Sequence, residues 1–452
     1  MNSGNGQMFD DSEAALVHAI IWKVSSNATE ANNSKLKAEE ILNAWSGTVN
    51  TVVGGDEKQL LAGLTGYRFA AAADILSSDS AWVNAGKLTS VKNMLANYFY
   101  PALRDYLDTH YGKNPSSYPY YYRGNQDTAA MVTIMAIGIL TNDLSMYNEA
   151  VNEFKNGNHN GRVTNYLKPT SDPNLAQAEE SGRDQAHTML GIGMLATMAQ
   201  MSYYQHEGDA SFEDLYEYSN RIILKGFEYT AKYNNGDNNV PFTPVYTFSW
   251  RNEPVIGSGN RGETRPIYEM VWNHYHNVKG LADATPSDPV YYSKARAALL
   301  RPEGIHTDHQ PFTTLLYNSG PVKLRNVTTG LYIDGMGRTT NGSNAGQWSN
   351  GSSTNQQWIE EADGNYLRFK NVATGLYLDG MGRTENGSIV GQWEDSTSTN
   401  QQWSIVKTGN NVRFQNRATG LYLDGVGRTT NGSDLGQYSS GTSTNQQWQI
   451  AN

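Results

Sequence analysis

Four ionisable residues stand together at the start of a long apolar stretch of the chain. Glu180, Arg183, Asp184 and His187 precede an almost entirely apolar run at 188–198. A helix over 177–205 would be buried on every side, and would carry these four residues on one face. Because buried charges need partners, two interpretations stay open. The residues form an internal salt-bridge network, or they line a polar cleft in which His187 transfers protons.

The composition restricts the class of protein. The 452 residues are enough for more than one domain, and no cysteine is present for disulfides or thiolate chemistry. A formal net charge of −10 argues against nucleic-acid binding, so any anionic substrate needs a local basic cleft. We also expect no membrane span, because no apolar run reaches about 18 residues. The 28 tyrosines and 10 tryptophans are typical of proteins that stack on sugar rings.

The first two thirds of the chain have a helical pattern. Apolar residues recur at helical spacing with little alternation of period two, which predicts an all-α domain. Several segments are apolar on most sides, as in layered, barrel-like pairs of helices. The predicted helices include 34–49, 58–76, 128–140, 177–205, 212–233, one starting at Arg265-Pro266, and 290–300.

A repeat begins where the composition changes to Gly, Ser, Thr, Asn and Gln, near Gly320. The pattern Thr-Gly-Leu-Tyr-x-Asp-Gly starts at Thr329, Thr374 and Thr419, a period of 45 residues. Each repeat closes with Asn-Gln-Gln-Trp, at Trp358, Trp403 and Trp448. Short β-type runs between glycine-rich turns, repeated three times, predict a closed threefold β structure with the closing tryptophans in its core.

Residues 322–452 resemble the ricin-type β-trefoil lectin modules, without the cysteine pairs of many members. The resemblance implies one shallow sugar site per repeat, built from an aspartate, an aromatic ring and the Asn-Gln of the closing motif. An aromatic face packs on a pyranose, and the polar groups bond its hydroxyls. The implied residues are Asp334, Trp348, Asn355 and Gln356; Asp379, Trp393, Asn400 and Gln401; and Asp424, Tyr438, Asn445 and Gln446.

Other polar residues of the helical part extend the first group. Asn125 opens the predicted helix at 128–140, as an N-cap or as part of a site, and Arg261, Arg265 and Tyr268 lie close in sequence. Asn, His, Arg and Tyr fit elimination from a uronic acid. The carboxylate must be neutralised, a base must remove H5, and an acid must protonate the departing O4.

Residues of about 30–315 look like the alginate-lyase-type polysaccharide lyases, which have an (α/α) toroid fold. The matching strings are LAGLTGYRFA at 61–70, ESGRDQAH at 180–187 and RPIYE at 265–269. The resemblance implies the catalytic residues Tyr268, His187, Asn125, Glu180 and Arg261, with Arg265 as the alternative arginine. It implies the substrate-binding residues Arg265, Arg183, Arg68 and Tyr122. Gln126 stands where one branch of the family has a histidine.

Together these observations predict an (α/α) toroid or incomplete barrel at 1–319 and a β-trefoil at 320–452. We expect a secreted, monomeric lyase that cleaves a 1,4-linked polyuronate, with an acidic polysaccharide and a trefoil glycan as partners and neither metal nor cofactor. One alternative is a glycoside hydrolase that uses two carboxylates among Asp127, Glu180 and Asp184. The other is a non-catalytic lectin.

Overall fold

The computed structural model describes residues 3–25, 27–51, 58–112, 122–248, 251–263, 265–279, 281, 303–317, 321–363, 366–408 and 411–451. These residues divide into two compact units. The first unit contains the described residues of Met1–Ile267 and Ile305–Pro311. The second contains those of Tyr268–Asp283 and Phe312–Asn452, with Glu303 and Gly304. The sequence-based boundary at 319/320 stays a prediction.

The first unit is rich in helices. They are α1 (Ser3–Val24), α2 (Ala28–Thr48), α3 (Lys58–Leu76), α4 (Ser80–Asn84), α5 (Lys87–Met94), α6 (Tyr100–Gly112), α7 (Gly124–Thr141), α8 (Leu144–Asn156), α9 (Val163–Tyr166), α10 (Gln185–Gly208) and α11 (Tyr218–Asn234), with a π-helical turn at Leu95–Phe99. The predicted helix at 58–76 coincides with α3, and the one at 128–140 lies within α7. The toroid arrangement of these helices stays a prediction.

Helices α3, α7 and α10 form the core of the first unit. Each is apolar on most sides, and α7 packs against both α3 and α10. The backbones of α3 and α7 approach closely at Gly63, where an added Cβ would lie 2.6 Å from the carbonyl of Ala129. Thr133 Oγ1 donates to the Gly63 carbonyl at 2.6 Å. This core holds the polar residues at the start of α7 and α10.

The placement of residues 180–187 on a single helix face is wrong. Helix α10 begins at Gln185, and residues 179–183 form turns after strand β2 (Ala176–Ala178), which pairs with β1 (Leu167–Pro169). Asp184 has an extended backbone, with φ −168° and ψ 171°, and its carboxylate accepts from the His187 N–H. As the N-cap, Asp184 satisfies a backbone N–H that would otherwise be unpaired, so the helix begins at the next residue.

Other boundaries in the helical region also differ from the predictions. Helix α11 begins at Tyr218 rather than at 212, and a second short hairpin joins β3 (Val245–Phe248) to β4 (Arg251–Glu253). Helix α12 (Tyr268–Trp272) begins two residues after Pro266 and continues as a π-helix over Asn273–Val278. The predicted helix at 290–300 lies outside the described residues.

The repeats form a β-trefoil-like sheet of fourteen strands. The strands are β5 (Lys323–Asn326), β6 (Tyr332–Asp334), β7 (Gly346–Trp348), β8 (Trp358–Asp363), β9 (Tyr366–Asn371), β10 (Tyr377–Asp379), β11 (Ser388–Ile389), β12 (Gly391–Trp393), β13 (Trp403–Thr408), β14 (Asn411–Asn416), β15 (Tyr422–Asp424), β16 (Ser433–Asp434), β17 (Gly436–Tyr438) and β18 (Trp448–Ala451). Hairpins β8–β9 and β13–β14 correspond to the pairing of β18 with β5, which joins the two ends of the repeat region. The short helix Thr313–Tyr317 precedes β5.

The three closing tryptophans form the centre of this domain, as predicted. Trp358, Trp403 and Trp448 are fully buried, and each indole N–H donates at 3.1 Å to a backbone carbonyl of its own repeat. A ring of backbone hydrogen bonds runs from Ala345 to Val390, from Val390 to Leu435 and from Leu435 back to Ala345, at 3.0–3.1 Å. The threefold sequence repeat therefore becomes a closed threefold core.

None of the described helices combines the length and the apolar character that a membrane span requires.

Candidate functional sites

One polar cluster of the first unit surrounds Glu180, and we call it the Glu180 cluster. Its members are Arg123, Glu180, Arg183, Asp184, His187 and Glu253. Glu180 is completely buried, and its Oε2 lies 3.6 Å from Arg123 Nη1 and 3.4 Å from Arg183 Nη1. Arg123 Nη1 also donates to Glu253 Oε1 at 2.6 Å. The cluster therefore combines α7, the turn before α10, and β4.

The pKa values of the two central carboxyl groups of the cluster shift in opposite directions. Burial raises the pKa of Glu180, although the positive charges of Arg123 and Arg183 oppose the shift. Burial also acts to raise the pKa of Asp184, but hydrogen bonds from the side chain and backbone of His187 outweigh it and lower that pKa. Two neighbouring carboxyls with separated pKa values are one arrangement that acid–base sites use.

His187 stands at the accessible side of this cluster. Its Nδ1 lies 2.7 Å from Asp184 Oδ2, and about a third of its side chain is exposed (35%). The aspartate orients the ring, so that the second ring nitrogen is the one available to a ligand. Arg183 is exposed to the same extent (35%). The pair presents one cation and one titratable ring beside a buried carboxyl group.

Asn125 lies in the first turn of α7 and does not cap it. The N-cap residue is Arg123, whose side chain makes no capping hydrogen bond. Asn125 is 2% exposed, and its Oδ1 has no hydrogen-bond partner among the described residues. The neighbouring Gly124 N–H donates to Glu179 Oε2 at 3.2 Å, which joins this turn to the segment that carries Glu180. A buried amide oxygen without a partner is unfavourable unless a ligand or water bonds it.

Arg68 and Arg265 belong to a second polar group of the first unit, the Arg68 cluster, with His306, Asp308 and His309. Arg68 is fully buried and donates to the carbonyls of His306 and Thr307, whereas its Nε and Nη1 have no partner among the described residues. Arg265 Nη1 lies 2.5 Å from Asp308 Oδ2 and 3.5 Å from His309 Nε2. Burial, reinforced by the positive charge of Arg265, lowers the pKa of His309 well below its usual range.

The Arg68 cluster also contains a set of metal-ligating atoms. Atoms of His306, Asp308 and His309 lie within 4.8 Å of one another, which is the spacing of a cation site. Because Arg265 already bonds Asp308 and stands beside His309, a cation there would meet a positive charge. The residues present fit an anion or a salt-bridge network better than a metal ion.

The remaining predicted residues of the helical part lie in different surroundings. Arg261 donates to the Tyr233 carbonyl and to Asn238, and its guanidinium lies 3.9 Å above the Tyr233 ring. Tyr268 is 1% exposed, and its backbone N–H donates to Glu303 Oε1 at 3.1 Å in the second unit. The Tyr122 ring packs edge-on against Tyr106, with centroids 5.3 Å apart. Residues 118–121 of the aromatic loop lie outside the described residues.

The first trefoil repeat forms a cleft of about 480 Å³ at its surface. Asp334 and Asn355 line it together with Trp348, whose side chain is 41% exposed. Asp334 Oδ1 accepts from the Met336 N–H at 2.7 Å, and Asn355 Oδ1 accepts from the Gly337 N–H at 2.8 Å. The two polar side chains are thus fixed by the same turn.

The other repeats reproduce these contacts. The aspartates Asp379 and Asp424 accept from the N–H groups of Met381 and Val426, and the asparagines Asn400 and Asn445 accept from those of Gly382 and Gly427, at 2.6–3.1 Å. Burial raises the pKa of both aspartates, whereas their backbone N–H bonds oppose the rise. We call the three sites the first, second and third pockets.

The turn that fixes each pocket has two successive residues with positive φ. In the first repeat these are Met336 (φ 58°) and Gly337 (φ 64°), and the Arg338 N–H donates to the Gly335 carbonyl at 3.1 Å. This is a type I′ turn. Such turns favour Asn-Gly, because asparagine and glycine tolerate positive φ better than other residues do. Met381 and Val426 occupy the same position in the other repeats. Strain of this kind concentrates at binding sites.

The aromatic ring of each pocket contacts a loop of a different repeat. A Cβ added to Gly342 would lie 3.3 Å from the Trp393 ring, and one added to Gly432 would lie 3.5 Å from the Trp348 ring. The Tyr438 hydroxyl approaches Gly387 in the same way, at 3.0 Å. Each pocket therefore depends on two repeats. Sequence alignment of the repeats finds the polar residues but not this exchange.

Two residues of the Glu180 cluster were not predicted. Arg123 and Glu253 bond each other although they are 130 positions apart in the chain, and Arg123 also pairs with Glu180. No local pattern marks either residue. Their only sequence signal is that Arg123 lies two positions before Asn125.

The comparisons with known proteins concern the C-terminal repeats. The model of the ricin-type beta-trefoil lectin domain-like family matches residues 308–393, 359–438 and 399–452. The designed threefold symmetric protein ThreeFoil is 30% identical, over 30% of this chain and 99% of its own, with a TM-score of 0.29. No curated protein sequence matches the chain.

Two further solved structures are similar over the same fraction of this chain. An exo-beta-1,3-galactanase from Clostridium thermocellum is 28% identical, over 29% of this chain and 30% of its own, with a TM-score of 0.28. The Macrolepiota procera ricin B-like lectin, solved in complex with lactose, is 24% identical, over 30% of this chain and 96% of its own, with a TM-score of 0.26. The family match and the threefold core together identify the repeat region within the matched residues 308–452 as a ricin-type β-trefoil lectin-like domain.

Proposed function

We propose that this protein binds glycans through the three pockets of its trefoil domain. The observation that carries the proposal is the threefold recurrence of a fixed carboxylate, a fixed carboxamide and an accessible aromatic ring. An aromatic face covers the apolar side of a pyranose, while the carboxylate and the carboxamide bond adjacent hydroxyls. Three such pockets on one rigid domain favour polymeric or clustered glycans, because each binding event raises the local concentration for the next.

A screen of immobilised glycans with the full chain tests this proposal. We expect binding that is lost in the triple variant Asp334→Ala, Asp379→Ala, Asp424→Ala. The control is Asp363→Ala, which removes a carboxylate of the β8–β9 hairpin that accepts a hydrogen bond from Gln402. Equal binding by the triple variant and the unsubstituted chain would exclude the pockets as the glycan sites.

We further propose that the helical part is a lyase for a 1,4-linked polyuronate, either alginate rich in mannuronate or glucuronan. The Glu180 cluster supports this proposal, since it combines an exposed arginine and histidine with a buried carboxyl of raised pKa. Asn125 Oδ1, which has no partner within the described part of the chain, adds a polar atom that a bound group can satisfy. These groups suit a negatively charged sugar better than a neutral one.

In the proposed reaction, Asn125, Glu180 and an arginine, Arg261 or Arg265, neutralise the uronate carboxylate. His187 helps to hold that carboxylate. The Tyr268 hydroxyl, as phenolate, takes the proton from C5, the C4–O4 bond breaks, and a C4=C5 double bond forms. The same tyrosine then returns a proton to O4 of the departing chain. Mannuronate and glucuronate carry H5 and O4 on one ring face, so one tyrosine can serve both steps. Acidic polysaccharides of this kind lie outside cells, so we propose that the protein is secreted.

Absorbance of the unsaturated product distinguishes the candidate functions. We expect the signal of the C4=C5 bond to rise with mannuronate-rich alginate or glucuronan, and more slowly with guluronate blocks. Shorter chains without that absorbance would indicate a glycoside hydrolase instead. Binding without any shortening of the polymer would leave the protein a non-catalytic lectin.

A further inference from the structure

A cation stands at the same position in each trefoil repeat. Lys323, Arg368 and Arg413 are spaced 45 residues apart, on strands β5, β9 and β14. Each reaches the loop that follows the aromatic residue of its own pocket. Lys323 Nζ contacts Asn350 Oδ1 at 3.3 Å and the Gly351 carbonyl at 2.8 Å, and both of these residues line the first pocket.

The second and third pockets both have arginine at this position, but its partner differs. Arg368 Nη2 lies 2.5 Å from Asp395 Oδ1, an ion pair. Arg413 Nη2 instead donates to Ser440 Oγ at 3.3 Å. Asp395 and Ser440 occupy the same position of the repeat, 45 residues apart. Among the residues that the structure describes, no carboxylate lies within 4 Å of the Arg413 guanidinium.

Arg413 is held at the edge of the third pocket. Its Nη2 bonds Gln446 Oε1 at 2.5 Å, and Gln446 in turn bonds the pocket carboxylate Asp424. The guanidinium lies 3.8 Å above the Tyr422 ring, which pairs across the strands with Tyr438. A stacked arginine is pre-organised, so a ligand that bonds it loses little additional side-chain entropy.

The loops beside the two arginines differ in charge. Glu394 and Asp395 follow the aromatic residue of the second pocket, and both are exposed, so with Arg368 the formal charge is −1. Ser439 and Ser440 follow the aromatic residue of the third pocket, so Arg413 leaves a formal charge of +1. The turn arginines Arg383 and Arg428 are common to both repeats, so a sugar carboxylate is less favoured at the first of these edges than at the second.

We propose that the third pocket selects sugars that carry a carboxylate, such as uronate residues, and that the second pocket selects neutral sugars. Arg413 donates to the sugar carboxylate. The charge of Arg413 is available because its partner Ser440 is neutral, whereas Arg368 is paired with Asp395. The inference rests on the proposed glycan binding by the trefoil. It also gives the domain a role beyond adhesion, since one of its pockets recognises the charged group of a polyuronate.

Single-pocket forms of the full chain provide the test. Asp334→Ala with Asp379→Ala leaves the third pocket, and Asp334→Ala with Asp424→Ala leaves the second. Each form is titrated by ligand-observed NMR with two matched pairs of methyl glycosides, galactoside with galacturonate and glucoside with glucuronate. The quantity compared is the ratio of uronate affinity to neutral-sugar affinity. We expect this ratio to be about 3- to 10-fold higher for the third pocket, the range of a partly exposed charged contact.

Exchange of the aligned residue provides the matched control. Ser440→Asp in the third-pocket form should lower the ratio toward that of the second pocket, and Asp395→Ser in the second-pocket form should raise it. Arg413→Gln should lower the ratio, and added salt should weaken the uronate preference. The inference alone would be overturned if both forms bind neutral sugars, show the same ratio of uronate affinity to neutral-sugar affinity, and keep that ratio after either exchange. If the unsubstituted chain binds no sugar at all, the proposed glycan binding is overturned, and the inference with it.

Discussion

The Glu180 cluster and the trefoil pockets are both polar sites, but they are built in opposite ways. The Glu180 cluster joins Arg123, Glu180 and Glu253, which are far apart in the chain and are held by helices and a short hairpin. Each trefoil pocket takes its aspartate and asparagine from one stretch of about twenty residues, and one tight turn fixes both. Sites of the first kind depend on the packing of the whole unit, whereas sites of the second kind depend on local backbone geometry.

The two constructions suit different tasks. Burial in the helical unit changes the proton affinity of Glu180, which is what acid–base chemistry requires. The pockets keep Trp348 and Trp393 about 40% exposed, which leaves room for a sugar ring but limits each contact. A single shallow pocket is therefore weak, and threefold repetition compensates for this weakness.

The largest effect that we expect is on polyuronate cleavage alone, with glycan binding by the trefoil unchanged. Tyr268→Phe should lower polyuronate cleavage about 100- to 10,000-fold, because it removes the proposed proton-transfer hydroxyl. Glycan binding by the trefoil should not change. The measurements are absorbance of the unsaturated product and retention on immobilised glycan. Tyr275→Phe is the control, since Tyr275 is also fully buried and follows on the same helical segment. Undiminished cleavage by Tyr268→Phe would transfer the proton-transfer role to His187.

The next effect compares two tryptophans of one repeat. Trp403 is fully buried, whereas Trp393 is 38% exposed. Trp403→Ala should lower the free energy of unfolding by about 3–5 kcal/mol, since it leaves a cavity in the threefold core. Trp393→Ala should change the stability by less than about 1 kcal/mol but weaken sugar binding. Calorimetry and sugar titration measure the two quantities. Similar losses of stability in both variants would contradict the division between core and pocket residues.

A smaller effect concerns the pH dependence of the pockets. A sugar hydroxyl donates a stronger hydrogen bond to Asp379 or Asp424 when the carboxylate is ionised, so affinity should fall as the pH falls through the pKa. Because burial raises both pKa values, the midpoint should lie above the ordinary value of 3.8. Titration of the single-pocket forms with a neutral glycoside between about pH 3 and 7 measures the midpoint. Asp379→Asn in the second-pocket form should bind with no such midpoint, and a midpoint below 3.8 would show that hydrogen bonding outweighs burial.

The smallest effect tests the strain in the pocket turns. Val426 has φ 56°, a left-handed conformation that a β-branched residue rarely adopts. Val426→Asn should raise the free energy of unfolding by about 0.5–1 kcal/mol, since asparagine tolerates this conformation. Val426→Met, which places the residue of the other two repeats there, should have a smaller effect. Calorimetry of both variants measures the difference. A destabilised asparagine variant would mean that the contact of Val426 with Gly436 outweighs the strain.

The sequence by itself determined the features that depend on local geometry. The 45-residue period marked the repeats, and the resemblance to the ricin-type modules pointed to Asp334 and Asn355, which one turn of the first repeat fixes. The buried helix at 58–76 followed from its apolar residues, because burial on all sides leaves a pattern that length and composition reveal.

The tertiary structure decided the features that join distant segments. Helical periodicity assigned Glu180 and His187 to one helix face, but Asp184 caps α10 and leaves Glu180 in a turn. The pairing of Arg123 with Glu253, and the position of Arg68 beside the loop of His306, depend on how α7 and α3 pack. Periodicity specifies which side of a helix is buried, but a charged residue finds its partner only after the helices have been placed in space. For the same reason, no repeat alignment places the Trp393 ring against Gly342 of the preceding repeat.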